Sequence, residues 1–144
     1  MCTAKMWHLS NAGIVLQLNN LYLGIDLFTE DHIPPYQALT PETKEQLFHS
    51  DHSLRFLFVT HLHRDHFCFE DLNKYLSLHP QCCPFIPSLR YCENRNLFHT
   101  TYFHISKTAG SSWTVSSFQN AYQLKKDNLS IFLLPTSHMG ACAD

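Results

Sequence analysis

The chain has 144 residues, of which 44% are hydrophobic and 15% are charged. This length and balance fit one domain with a packed core, or part of one, and exclude a disordered, highly charged chain. The net charge is −2 with neutral histidines, which excludes a strongly basic chain, so nucleic acid is not expected as the main partner.

The cysteines and the apolar runs indicate the compartment. None of the six cysteines forms a C-x-x-C pair, and Cys82 and Cys83 are adjacent, so a disulfide framework is not expected. The first residues lack the apolar core of a signal peptide, and the apolar runs are shorter than a membrane span. We therefore expect a cytoplasmic protein with free thiols and no membrane partner.

The first part of the chain predicts a β-hairpin and then a helix. The segments GIVLQL and LYLGIDLF flank Asn19-Asn20, and asparagine tolerates the positive φ of a tight turn. Residues 29–39, with two adjacent prolines, predict a loop. Thr40 before Pro41 predicts the start of a helix in LTPETKEQLFHS.

The middle of the chain predicts a strand, a helix and a short strand. The nearly continuous apolar run LRFLFVT is typical of a strand that is buried on both faces. The segment FEDLNKYLSLH predicts a helix that ends before Pro80, and CPFIP predicts a strand. The apolar side of this helix is predicted to carry Leu72, Tyr75, Leu76 and Leu78.

The last part of the chain predicts a short helix and then strands. SLRYCENRN is the helical segment, and TYFHI, WTVSSF, AYQL and LSIFLLP are the strands. Lys125–Asn128 is predicted to form the turn between the last two strands. The whole order predicts an α+β fold with helices on one face of a sheet.

The segment FVTHLHRDHF concentrates metal-binding side chains directly after the buried strand. It places His61, His63, Asp65 and His66 within six residues, a pattern that fits a sharply turning loop. His61 and His63 could face one metal, and Asp65 and His66 could face a second one. Imidazole and carboxylate groups suit zinc, and iron or manganese would also fit.

His138, in LLPTSHMG, is the candidate third ligand for the metal held by His61 and His63. It follows an apolar strand and precedes a glycine close by. Three protein ligands plus one open position are typical of a catalytic zinc site that activates water. Two metals about 3.5–4 Å apart can share a hydroxide nucleophile, so the pattern points to hydrolysis.

Three other side chains near these motifs have alternative interpretations. Cys142 lies four residues after His138 and could be a metal ligand. The favoured interpretation is that it lies in a frayed chain end and binds no metal. Cys68 is expected to pack under the loop rather than bind metal. His8 is expected to be a surface strand residue, with an approach to the site as the alternative.

The segment THLHRDH resembles the H-x-H-x-D-H signature of the metallo-β-lactamase superfamily. The opening NAGIVLQLNNLYLGIDLF is similar to the first hairpin of that family and puts Asp26 at its first conserved aspartate. His138 in PTSHMG matches the later single-histidine motif. The arrangement is most similar to small cytoplasmic hydrolases that include ascorbate-6-phosphate lactonase-like proteins.

This resemblance implies an αββα sandwich, of which residues 1–144 supply about the N-terminal half as a single, incomplete domain. The bridging aspartate and the last histidine of the family are not visible, and Asp144 is not assigned as the bridge. We expect a fragment of a longer protein, a truncated gene product, or a half-domain completed by another chain, which includes a homo-oligomer.

The function implied by the resemblance is metal-dependent hydrolysis of a small-molecule substrate. A metal-bound hydroxide would attack an ester, lactone, amide or phosphodiester. Asp65 would be both a ligand and the catalytic group that orients the water, and Asp26 would steady the loop without touching the metal. The alternatives are a phosphodiesterase or ribonuclease of the same fold, and an inactive remnant that binds a metal or a partner chain.

Overall fold

The computed structural model describes residues 3–30, 35–86, 114–118, 121–126 and 129–134. Eight strands and two helices lie in these ranges. In chain order they are β1 (Ala4–His8), β2 (Ile14–Leu18), β3 (Leu21–Ile25), α1 (Pro41–Phe48), β4 (Phe56–Phe58), α2 (Phe69–Leu78), β5 (Cys83–Phe85), β6 (Thr114–Phe118), β7 (Ala121–Lys126) and β8 (Leu129–Leu133).

The first five strands form one mixed sheet in the order β1-β2-β3-β4-β5. The pairs β1/β2 and β2/β3 are antiparallel, whereas β3/β4 and β4/β5 are parallel. The predicted hairpin is confirmed: Leu18 pairs with Leu21, and Asn19 adopts a φ of 55° in the turn between them. Each parallel connection contains a helix, as parallel crossovers usually do.

Helix α1 begins where the sequence predicts. The Thr40 hydroxyl accepts a hydrogen bond from the Thr43 N–H at 3.2 Å, and Pro41 occupies the first turn. Lys44 on α1 forms an ion pair with Asp71 on α2 at 2.7 Å, so the two helices lie side by side.

Helix α2 presents the predicted apolar side to the core except at Leu78. Leu72 and Tyr75 are buried, but Leu78 is 45% exposed, so its assignment to the buried side is wrong. At 100° per residue Leu78 lies roughly 120° away from Leu72, whereas His79 returns to the same side. His79 Nε2 accordingly lies 2.9 Å from the Phe48 carbonyl oxygen of α1.

The apolar run around β4 supplies the centre of the sheet. All three β4 residues are buried, as the run predicts, and their side chains alternate between the two faces. Leu57 packs in a core with Phe48 of α1 and Tyr75 of α2. Phe56 and Phe58 pack in a second core on the opposite face. Among the described residues, both helices therefore cover one face of the sheet.

The second face of the sheet is covered by a separate antiparallel sheet in the order β6-β7-β8. Leu124 of β7 is fully buried among Leu23, Phe56 and Phe85 of the first sheet. On the outer side of β8, by contrast, Phe132 is 60% exposed. The described part of the chain thus has three layers: helices, mixed sheet and antiparallel sheet.

Several predicted features lie outside the described residues. These are the helix in SLRYCENRN, the strand in TYFHI, and the residues His138, Cys142 and Asp144. Within the described ranges, no helix has the length and apolarity that a membrane crossing needs.

Candidate metal centre

The candidate site lies at the carboxyl ends of the parallel strands β3 and β4. Asp26 directly follows β3, and its N–H donates to the Phe58 carbonyl at 2.9 Å. The loop that carries the histidines follows β4 directly, so it starts beside Asp26. Ligand sites of open α/β sheets commonly form at this edge, where the parallel strands end.

Asp26 ties the loop to the end of β3 through both carboxylate oxygens. Its Oδ1 accepts from the Thr60 N–H at 2.7 Å, and its Oδ2 accepts from the Thr60 hydroxyl at 2.6 Å. The same Oδ2 lies 2.9 Å from Nδ1 of His66. Asp26 is only 3% exposed, and these contacts compensate for its removal from water. The resemblance assigned Asp26 a supporting role, and its contacts are with loop residues.

A second set of contacts fixes the middle of the loop. The Glu30 N–H donates to the Arg64 carbonyl at 2.8 Å, and Arg64 Nε donates to Glu30 Oε2 at 2.6 Å. The N–H groups of His66 and Phe67 both donate to the His63 carbonyl at 2.9 Å, which closes a turn. The loop between β4 and α2 is therefore anchored to residues 26–30 at two points.

This turn gathers His61, His63 and Asp65. Each offers one ligand atom, and these atoms all lie within 4.8 Å of one another. Donors 2.0–2.1 Å from a tetrahedral zinc lie roughly 3.3 Å apart, so side-chain shifts of about an ångström would complete the geometry. Two imidazoles and one carboxylate are ligands that Zn²⁺ accepts. The three residues therefore fit a divalent metal.

His66 lies beside this group and faces two carboxylates. Its Nδ1 contacts Asp26, and its Nε2 lies 3.4 Å from Asp65 Oδ2. Its ring centroid is 3.9 Å from that of His61. The hydrogen bond with Asp26 raises the pKa of His66 above its ordinary value, and the charges of Asp26 and Asp65 add to this against the effect of burial. Below that pKa the His66 imidazolium carries a proton on Nε2, and a metal binding at Nε2 would have to displace it.

The other residues that the sequence singled out lie away from this group or outside the described residues. Cys68 is buried in the core on the helix side, where burial raises the pKa of its thiol. His8 is exposed at the end of β1 and donates to the Asn11 carbonyl at 3.3 Å. The candidate third ligand His138 and the alternative ligand Cys142 lie outside the described residues. The division of ligands between two metals stays a prediction.

Three residues around the loop were not identified from the sequence: Thr60, Glu30 and Arg64. Thr60 precedes the first histidine, and its hydroxyl contacts both Asp26 and His61. Its position at the end of the buried strand, directly before His61, was the one sequence signal that could have identified it. Glu30 and Arg64 are 34 residues apart, and neither shows a pattern that would pair them.

A cleft of about 370 Å³ opens elsewhere, on the helix side of the first three strands. Its lining consists of Lys5, Trp7, Leu9, Val15, Gln17, Tyr22, Leu47, Ser50, His52 and Leu54. None of these belongs to the group of His61, His63 and Asp65, so this cleft and the candidate metal centre are separate features of the described structure.

Comparisons of the chain with protein-family models, with curated proteins and with solved structures find no significant match. The likeness to the metallo-β-lactamase superfamily therefore rests on the His-x-His-x-Asp cluster itself. What the structure supports directly is a group of His61, His63 and Asp65 that could hold a metal ion.

Proposed function

We propose that the chain is a metal-dependent hydrolase of the metallo-β-lactamase type. The observation that carries this proposal is the convergence of His61, His63 and Asp65 at the end of β4, with ligand atoms within 4.8 Å. Zinc is the proposed metal. The proposed substrates are small molecules with an ester, lactone, amide or phosphodiester bond.

A bound divalent metal would supply Lewis-acid chemistry, because it polarises a substrate oxygen and lowers the pKa of coordinated water toward 7. The residues of the chain would provide the geometry. His61 and His63 would hold the ion from one side. Asp65 would accept a hydrogen bond from the attacking water and orient it, because its carboxylate lies in the same group. Asp26 would keep the loop in place through Thr60 and His66.

The proposed fold is the first part of an αββα sandwich. The support is the order of layers, in which α1 and α2 cover one face of the mixed sheet and β6–β8 cover the other. The position of the candidate metal centre, at the carboxyl ends of β3 and β4, also supports this proposed fold. The last layer of helices would cover the outer side of β8, where Phe132 and Leu134 are exposed.

Zinc stoichiometry and hydrolysis test the proposed function together. The protein would be equilibrated with Zn²⁺, desalted, and analysed for zinc per chain and for turnover of an aryl phosphodiester, an aryl ester and a lactone. We expect bound zinc and turnover of one of these substrates, with loss of turnover after chelation. His61→Ala and His63→Ala should weaken zinc binding by more than the roughly 10–100-fold that loss of a supporting residue costs.

His49→Ala is the matched control. His49 lies at the end of α1, its side chain is 67% exposed, and it contacts Glu45 rather than the loop. This variant should bind zinc and turn over substrate as the unmodified protein does. Zinc binding without turnover of any of the three substrates would reject the hydrolase and favour a metal-binding chain without catalysis. Equal turnover in His61→Ala would reject the site.

A further inference from the structure

We propose that the Thr60 hydroxyl is a positioning group that fixes the tautomer of His61, so that Nε2 of this imidazole is the atom offered to the metal. The proposal rests on the proposed metal site and adds a residue to it. The Thr60 hydroxyl contacts both Asp26 and His61.

The hydroxyl proton of Thr60 points to Asp26. The hydroxyl oxygen lies 2.6 Å from Asp26 Oδ2, a distance typical of a hydroxyl that donates to an ionised carboxylate. A carboxylate only accepts hydrogen bonds, so the single proton of the hydroxyl belongs to this contact. The neighbouring Thr60 N–H donates to Oδ1 of the same carboxylate at 2.7 Å, which fixes the threonine against Asp26.

The Thr60 hydroxyl has a second neighbour, the imidazole of His61. Thr60 Oγ1 also lies 3.0 Å from Nδ1 of His61. Because the hydroxyl proton points to Asp26, the oxygen can only accept in this second contact. His61 must therefore carry a proton on Nδ1. In a neutral imidazole the lone pair then lies on Nε2, which is the nitrogen that can bind a metal.

The imidazole of His66 is ordered by the same carboxylate. Asp26 Oδ2 also contacts Nδ1 of His66 at 2.9 Å, and a carboxylate accepts, so this nitrogen also donates. One buried carboxylate thus orders two imidazoles, His66 directly and His61 through Thr60. Partners of this kind fix the ring orientation of metal-binding histidines. Thr60 itself need not touch the metal or the substrate.

The tautomer can be measured without metal. Nitrogen-15 NMR of the metal-free protein at about pH 8.5, two units above the ordinary histidine pKa, distinguishes the two neutral forms. We expect His61 to carry its proton on Nδ1 in the unmodified protein and in Thr60→Ser. Thr60→Val keeps the shape and the backbone N–H but removes the acceptor, so the Nδ1 proton should lose its preference.

Zinc affinity is the second readout. Thr60→Val should weaken Zn²⁺ binding by about 10–100-fold, the range typical of groups that support a ligand, and Thr60→Ser should remain close to the unmodified protein. Thr43→Val in α1 is the control for the substitution itself, because Thr43 contacts Thr40 rather than the loop. A purely structural role of Thr60 would change stability without changing the tautomer.

The outcomes separate this proposal from the proposed function. A His61 proton on Nε2 in the unmodified protein overturns the role of Thr60, and so does a folded Thr60→Val with an unchanged tautomer. If Thr60→Val does not fold, the spectra of the unmodified protein and Thr60→Ser still decide. If zinc binds to none of these proteins, the metal site fails, while the tautomer still supports or overturns the role of Thr60.

Discussion

Asp26 combines an unusual backbone conformation with a buried charge. Its φ of 47° lies in the left-handed region, which aspartate and asparagine tolerate better than most residues. This conformation occurs where β3 ends and the chain leaves the sheet. The side chain is thereby available to Thr60 and His66, which belong to a loop 34–40 residues later.

Asp26→Asn should destabilise the metal-free protein by about 2 kcal/mol. Asparagine accepts the same backbone conformation, but its amide places a donor or a weaker acceptor against the Thr60 hydroxyl and His66 Nδ1, and bonds to charged groups contribute about 1.5–3 kcal/mol. Urea unfolding in the presence of a chelator measures the change.

The exposed Asp51 provides the control for Asp26→Asn. Asp51→Asn should stay within about 0.5 kcal/mol of the unmodified protein, as is usual for surface substitutions. If Asp26→Asn is as stable as Asp51→Asn, the carboxylate does not anchor the loop.

Cys82 should resist alkylation while the protein is folded. Burial raises the pKa of its thiol to about 12, with a further contribution from the adjacent Cys83. The reactive thiolate is therefore scarce at neutral and mildly alkaline pH. Iodoacetamide labelling followed by peptide mass analysis should find Cys82 protected in buffer and modified in urea. Equally fast labelling in both conditions would show that the thiol is not buried.

Tyr75 links helix α2 to the segment that precedes β4. The Tyr75 hydroxyl accepts a hydrogen bond from the Leu54 N–H at 2.8 Å. Both residues are almost fully buried, and the ring packs against Phe28 and Phe48. Helix α2 thus provides the acceptor for the buried Leu54 N–H. Leu54 lies just before β4, and β4 leads to the candidate site.

Tyr75→Phe should cost about 1–3 kcal/mol of unfolding free energy, because it leaves the buried Leu54 N–H without its acceptor while keeping the ring. Chemical denaturation measures the loss. Tyr36→Phe is the matched change on a tyrosine that is 46% exposed, and it should be almost neutral. Equal effects of the two substitutions would mean that the hydroxyl contact contributes nothing.

The sequence predicts the elements well where local patterns decide them. The turn at Asn19-Asn20 and the cap at Thr40 appear as expected, because turns and caps depend on neighbouring residues. The run LRFLFVT predicts a longer strand than the three residues of β4. Its flanks, Leu54 and Val59, are buried in the core outside the strand, although the Val59 N–H still donates to the Phe85 carbonyl of β5 at 2.9 Å.

The sequence predicts the candidate site in part. His61, His63 and Asp65 are neighbours in the chain, so their gathering follows from one turning loop. The contact of Asp26 with that loop depends on the pairing of β3 with β4, and only the family resemblance suggested it. The Glu30–Arg64 contact depends on the path of two loops, which no local pattern specifies.

The packing of the two sheets depends on Leu124, which is fully buried among residues of the first sheet. Leu124→Ala should lower the free energy of unfolding by about 2–5 kcal/mol, because it removes buried methyl groups and leaves a cavity between the sheets.

Phe132 is the control. It pairs with the neighbouring Gln123 but lies on the outer side and is 60% exposed. Phe132→Ala should therefore cost less than about 1 kcal/mol, although it removes a larger side chain. Urea unfolding compares the two variants, and a larger loss in Phe132→Ala would show that the second sheet does not pack through Leu124.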